Sequence, residues 1–182
     1  DVIVAGHIYV PIGLSDLWLR KYSAAGKEMW TRTADHMKGN DEWRGVAVAP
    51  TGELALTGEV YEVAGLAAIY TAKYSSAGFE TWAQIQDSAG GDNDRGHGVA
   101  FDLAGNIVAV GSEYTANDFT RTWTRKHDPA GQELWTQIHD GDGAGNDVAY
   151  AVAIDAVGNV YAAGSEYVAG QFATVWLSKY AP

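Results

Sequence analysis

Amide and carboxylate side chains recur along this chain at a fixed interval. Three Asn-Asp pairs stand 53 residues apart, Asn40-Asp41, Asn93-Asp94 and Asn146-Asp147. Carboxylate oxygens are the ligands that Ca²⁺ prefers, and the candidate calcium ligands are Asp92, Asp94, Asp140, Asp142 and Asp147. Asn and Asp also close turns by accepting hydrogen bonds from backbone N–H groups. The pattern therefore leaves two alternatives, a calcium site or a repeated loop clamp.

A second candidate group follows each Asp at a short, constant distance. The positions two and three residues later hold Trp43-Arg44, Gly96-His97 and Ala149-Tyr150. Because the other copies place Gly and Ala at the position of Trp43, its ring could stack on a sugar or another planar ligand, or it could fill a packing gap. The candidate ligand-binding residues are Trp43, Arg44, His97, Tyr150, Asn93, Asp94, Asn146 and Asp147.

Catalytic motifs are weak in this sequence. The five histidines form no His-x-His or His-Glu-x-x-His set, and no Gly-x-Ser-x-Gly elbow is present. Glu59, Glu113 and Glu166 end predicted strands, and paired carboxylates can hydrolyse or eliminate sugars. Glu113 and Glu166, however, share one repeat position, which favours a scaffold role. We expect a non-catalytic protein without an assigned catalytic residue, with a carbohydrate-active hydrolase or lyase as the alternative.

The elements that position these residues come from one repeated unit. Lys-aromatic pairs occur at Lys21-Tyr22, Lys73-Tyr74, Lys126-His127 and Lys179-Tyr180, and tryptophans keep the same spacing at Trp30, Trp82 and Trp135. Several independent positions with one period of about 53 residues indicate a structural repeat.

Each repeat contains the pattern of four short strands. In the second copy, strands are predicted over 46–49, 54–61, 68–74 and 80–86, separated by Gly-containing turns and polar loops. This count and length are typical of an all-β β-propeller built from four-stranded antiparallel blades, with a β-solenoid as the alternative. We expect one domain over 1–182, with a partial blade at 1–33, full blades at 46–86 and 99–138, and a partial blade at 151–180.

The predicted strands number fourteen, which makes three and a half blades. Closed propellers need roughly four to eight blades, and open sheet edges invite association. The chain is therefore expected to be an excerpt of a longer propeller or, second, a homo-oligomer that completes the open propeller between copies.

The repeats resemble a known family. The segment from Val152 to Ser165, preceded by Gly145-Asn146-Asp147, is similar to the bacterial seven-bladed β-propeller repeat family, and the likeness covers nearly the whole chain. That resemblance implies a propeller fold and a secreted, periplasmic or cell-surface location, but no shared active site. The stretch from Asp128 to Trp135 also resembles the tryptophan-docking motif of quinoprotein propellers. Quinone-binding residues are not recognisable, so we expect no cofactor apart from the calcium considered above.

Composition limits the partners. The chain has 182 residues, 47% of them hydrophobic, and a net charge of −11, which opposes binding to nucleic acid and to anionic membranes. No apolar run reaches the roughly 18 residues that insertion into a bilayer requires, and Asp1 in place of Met indicates a processed or excerpted chain. The longer loops, between the second and third strands of a blade and between successive blades, are expected on one face of the propeller. A protein or glycan bound at this loop-rich face is the expected partner, and a purely architectural spacer is a third alternative.

Overall fold

The computed structural model describes residues 1–11, 14–36, 39–61, 66–88, 93–115, 119–141 and 145–182. These residues form fourteen β-strands and no helix, which confirms the all-β prediction. The strands are β1 (Val2–Tyr9), β2 (Ser15–Tyr22), β3 (Glu28–Ala34), β4 (Glu42–Val48), β5 (Leu54–Tyr61), β6 (Ala67–Tyr74), β7 (Glu80–Gln86), β8 (Arg95–Phe101), β9 (Ile107–Tyr114), β10 (Thr120–His127), β11 (Glu133–His139), β12 (Val148–Ile154), β13 (Val160–Val168) and β14 (Phe172–Tyr180).

Four antiparallel sheets contain these strands, each strand pairing with its neighbours in sequence. Sheet I contains β1–β3, sheet II β4–β7, sheet III β8–β11 and sheet IV β12–β14. The second, third and fourth sheets begin a few residues before the boundaries expected from the sequence, because β4, β8 and β12 extend back toward the Asn-Asp pairs. That extension decides where the candidate site residues lie.

The core lies between the sheets. One apolar cluster joins Leu17 and Leu19 of sheet I to Leu56 and Tyr70 of sheet II. Trp123 connects sheet III to sheet II, and Trp176 connects sheet IV to sheet III. Because strands such as β5, β6 and β9 are covered on both faces, they consist of apolar, small or hydrogen-bonded residues throughout.

A tryptophan on the last strand of one sheet packs against a glycine turn of the next sheet. Gly131 has a φ of 87°, and a Cβ atom there would lie 2.7 Å from the Trp82 ring. The Trp82 Nε1–H also donates to the Pro129 carbonyl at 3.1 Å. Trp30 packs on Gly78 in the same way one repeat earlier. The repeated tryptophans therefore connect successive sheets.

Sheets I and IV have three strands each, so β1 and β14 end their sheets among the described residues. The terminal strand β14 carries two strongly exposed apolar side chains, Val175 at 86% and Leu177 at 68%. The described part of the chain contains no helix of the length and apolarity that a membrane span requires.

Candidate ligand-binding site

Three of the candidate residues occupy β-bulges. The register between the first two strands of a sheet shifts between Trp43 and Gly45 in sheet II, and at the equivalent places in sheets III and IV. The extra residues are Arg44, His97 and Tyr150. A bulge leaves its extra residue unpaired and re-aims the side chain. All three residues precede the blade starts predicted at 46, 99 and 151, but the structure includes them in β4, β8 and β12.

A polar cleft of about 470 Å³ lies between sheets III and IV, where β8 and β12 begin. Its lining residues are Asn93, Arg95, His97, Ser112, Tyr114, Thr120, Asn146, Val148 and Tyr150. The His97 and Tyr150 rings are 5.4 Å apart, and Tyr150 is 54% exposed. The structure thus brings together four of the residues singled out in the sequence, His97, Tyr150, Asn93 and Asn146. The volume is typical of ligand pockets, which span roughly 300 to 1,000 Å³.

Arg44 belongs to a charged network at the boundary between sheets II and III. Its Nη2 donates to Glu59 Oε1 at 2.9 Å and lies 2.9 Å from Glu42 Oε2. Arg95 donates from Nε to the other oxygen of Glu59 at 2.8 Å. The Glu59 side chain is nearly buried, so two guanidinium groups neutralise a desolvated carboxylate.

The repeat explains why a cleft opens between sheets III and IV and a charged network lies between sheets II and III. The positions 53 residues after Arg44, Glu59 and Arg95 hold His97, Ser112 and Val148. All three charges are lost, and shorter or neutral side chains line the space instead. Sequence reasoning missed Arg95, Ser112, Tyr114, Thr120 and Val148, although aligning the repeats at Glu59 would have identified the change to Ser112.

Trp43 lies in the core. Only 3% of the residue is exposed, and its ring stacks on Tyr70 at a centroid distance of 5.2 Å and an interplanar angle of 24°. Tyr74 contacts the same ring edge-on at 6.2 Å. This placement corresponds to the gap-filling alternative, and it leaves no ring face open for a ligand.

The Asn-Asp pairs clamp neighbouring sheets together. Buried Asp94 accepts backbone hydrogen bonds from Ser88 at the end of sheet II and from Tyr114 in sheet III. Asn93 accepts from the Ala67 backbone N–H at 2.9 Å. Burial raises the pKa of Asp94, and these hydrogen bonds oppose that rise. The same acceptor role belongs to Asp41 and Asp147.

Of the five candidate calcium ligands, the three that the structure describes do not form a metal site with one another. Asp92 and Asp142 lie outside the described residues. Asp94 and Asp147 point their oxygens at backbone N–H groups, while Asp140 is exposed. No group of three acidic or histidine side chains with metal-binding geometry occurs in the described ranges. The clamp accounts for the two buried carboxylates.

His97 is neutral at pH 7. Burial, with a smaller contribution from Arg44, lowers its pKa to about 4. A neutral imidazole presents one nitrogen as a hydrogen-bond donor and the other as an acceptor. His97 can therefore either donate a hydrogen bond to a ligand hydroxyl or accept one from it.

The glutamates considered for catalysis are each held by a basic group. Arg121 contacts Glu113 at 2.6 Å, and His139 lies 2.7 Å from Glu166. Glu59 is held by the two arginines described above. None of the three lines the cleft, so the cleft does not present the carboxylate pair that glycoside hydrolysis needs.

A cavity of about 530 Å³ lies at the opposite ends of sheets III and IV. Its lining consists mainly of turn residues and apolar side chains, with one ion pair between Lys126 and Asp102. We favour the polar cleft as the ligand site, because its lining combines aromatic rings with amides, hydroxyls and a guanidinium group. Searches with the sequence found no matching protein-family model and no curated protein of significant similarity.

Proposed function

We propose that this protein is a non-catalytic binding module, that its sheets are consecutive blades of a β-propeller, and that the cleft between sheets III and IV binds a glycan. The observation that carries the proposal is the absence of the Glu59 network from the boundary between sheets III and IV, where an open polar cleft lies at two bulges. A protein ligand is the alternative outcome.

The lining matches the chemistry of a sugar. Tyr150 exposes a ring that can stack on the apolar face of a pyranose. Asn93, Asn146 and Thr120 contribute amides and a hydroxyl at the same cleft, and sugar hydroxyls both donate and accept hydrogen bonds. A concave site of this kind suits a small polar ligand, whereas protein partners typically bind to flatter surfaces.

A glycan panel followed by calorimetry tests this proposal. Tyr150→Ala should weaken binding of the selected glycan about fivefold, because a stacked ring contributes roughly 1 kcal/mol. Tyr9→Ala is the matched control, since Tyr9 is an exposed tyrosine of β1 outside the cleft. Equal losses in both variants, or a panel without any binder, would refute the proposal.

The propeller arrangement is supported by the order of contacts. The first strands of sheets II, III and IV lie against one another in series, β4 with β8 and β8 with β12. Spin labels at Thr51, Ala104 and Val157, three equivalent exposed turn positions, test the curvature. Blades around an axis require the 51–157 distance to be shorter than the sum of the two consecutive distances. A distance equal to that sum indicates linear stacking.

The open edge of β14 is the proposed contact for self-association. Val175 and Leu177 on this strand are exposed, and an unpaired apolar edge favours pairing with another chain. Light scattering should report a dimer that Val175→Lys converts to a monomer, and a monomeric wild-type chain would contradict this part. The secreted, periplasmic or cell-surface location is suggested by the sequence resemblance alone and belongs to the same proposal.

A further inference from the structure

We infer that the cleft selects glycans whose sugars carry a carboxylate, as in uronic or sialic acids. This inference rests on the proposed function and names its ligand class. It begins with the charge of the lining: the described residues around the cleft include the charged Arg95 and the neutral His97 but no Asp or Glu. The whole chain, in contrast, carries a net charge of −11. The cleft thus presents a guanidinium group and, among its described lining, no acidic side chain, although the protein as a whole is acidic.

Arg95 is held in a fixed orientation at this spot. Its Nε donates to the buried Glu59 carboxylate at 2.8 Å, and 43% of its side chain is exposed. No described residue accepts a hydrogen bond from its two terminal nitrogens. A guanidinium group held at Nε keeps its two terminal nitrogens for other acceptors, and paired guanidinium nitrogens match a carboxylate in a bidentate contact.

Glu59 lies between two arginines. Arg44 and Arg95 share that one carboxylate, and Arg44 is also paired with Glu42, so Arg95 is the guanidinium group that the cleft presents. Glu59 lies behind the guanidinium group and does not line the cleft. A ligand carboxylate entering beside Tyr150 therefore meets Arg95 without facing an acidic side chain of the described lining.

Binding of matched acidic and neutral oligosaccharides tests the inference. The probes are trigalacturonic acid, a hyaluronan tetrasaccharide and sialyllactose, each compared by calorimetry with its carboxyl methyl ester. At least one acid should bind about tenfold or more tighter than its ester, because hydrogen bonds to charged groups are roughly twice as strong as neutral ones. The preference should also shrink as salt concentration rises.

Arg95→Gln should abolish that preference. Arg121→Gln is the matched control, because it also removes one arginine from a buried glutamate, Glu113, but lies outside the cleft. If Arg95→Gln does not fold, the double variant Glu59→Gln with Arg95→Gln removes the unpaired buried charge and is used instead.

The outcomes separate the two proposals. Equal binding of acid and ester, lost in Tyr150→Ala but kept in Arg95→Gln, overturns the carboxylate inference and leaves the glycan module standing. Tighter binding of a free C-terminal peptide than of its amide, with no acidic sugar bound, overturns both. Preference for the acid that survives Arg95→Gln places recognition elsewhere and also overturns the inference.

Discussion

Glu59 on β5 and Arg95 on β8 meet across the boundary between sheets II and III, with Arg95 Nε donating to Glu59 Oε2 at 2.8 Å. Arg44 donates a hydrogen bond to the other oxygen of the same carboxylate. The equivalent carboxylate position one repeat later is Ser112, so the contact that joins one pair of sheets is replaced by the cleft between the next pair.

Glu59→Ser, which copies Ser112, should lower the free energy of unfolding by about 1 to 3 kcal/mol. The substitution removes charge-assisted hydrogen bonds to two arginines. Because both arginines are partly solvated, leaving them without this partner costs less free energy than it would for buried charges. Urea unfolding at low and high salt measures the effect, which should be smaller at high salt. A variant as stable as the wild type would show that the network adds nothing to the sheet boundary.

Trp43→Ala should lower the free energy of unfolding by about 3 to 5 kcal/mol, the usual range for truncating a buried tryptophan, because the ring packs on Tyr70 within the core. Trp82→Ala is the comparison. Its ring is only partly buried and packs on a turn, so a smaller loss of about 1 to 3 kcal/mol is expected. The midpoints of denaturant unfolding of the two variants give the comparison. A larger loss of stability in Trp82→Ala than in Trp43→Ala would contradict our assignment of the core.

His127→Tyr should stabilise the protein at acidic pH. Burial lowers the pKa of His127 from 6.5 to about 4, and no described residue forms a hydrogen bond with its Nδ1. Between pH 6.5 and 4, His127 binds a proton in the unfolded chain but stays neutral in the folded chain. Its contribution to the free energy of unfolding is therefore complete above pH 6.5 and is lost as the pH falls toward 4. The histidine contributes up to about 3 kcal/mol to this loss.

Tyrosine suits the position because the equivalent Tyr74 donates its hydroxyl to Glu80 at 3.1 Å, and Glu133 takes the place of Glu80 in sheet III. Thermal unfolding of both proteins from pH 7.5 to 4 gives the comparison. His97 still titrates in the variant, so its curve should flatten only in part. Parallel curves for the two proteins would exclude His127 as a source of the acid sensitivity.

Gly131→Ala should destabilise the protein more than Gly105→Ala. Both glycines have positive φ, 87° and 82°, so both substitutions carry a similar backbone strain of roughly 1 kcal/mol. A Cβ at Gly131 would also lie 2.7 Å from the Trp82 ring, whereas at Gly105 the nearest atom is 3.7 Å away. We expect an extra loss of about 1 to 2 kcal/mol from this overlap. Equal losses in the two variants would show that the tryptophan–glycine contact is loose.

Strand order and turn positions could be predicted from the sequence because both depend on local patterns that recur every 53 residues. The strand predicted over 54–61 coincides with β5, and the one over 80–86 with β7. The prediction for β4 began too late because a bulge breaks the regular alternation at Arg44.

Burial and the open cleft depended on tertiary structure. The sequence shows that Trp43 differs from its counterparts Gly96 and Ala149, but only the packing of sheet I against sheet II decides that its ring is enclosed. Glu59 likewise reaches partners 15 and 36 residues away, the second on another sheet. The repeat by itself determined fourteen strands and where they turn. Contacts between neighbouring sheets decided which boundary is filled by ion pairs and which is open, because side chains from two different repeats meet at each boundary.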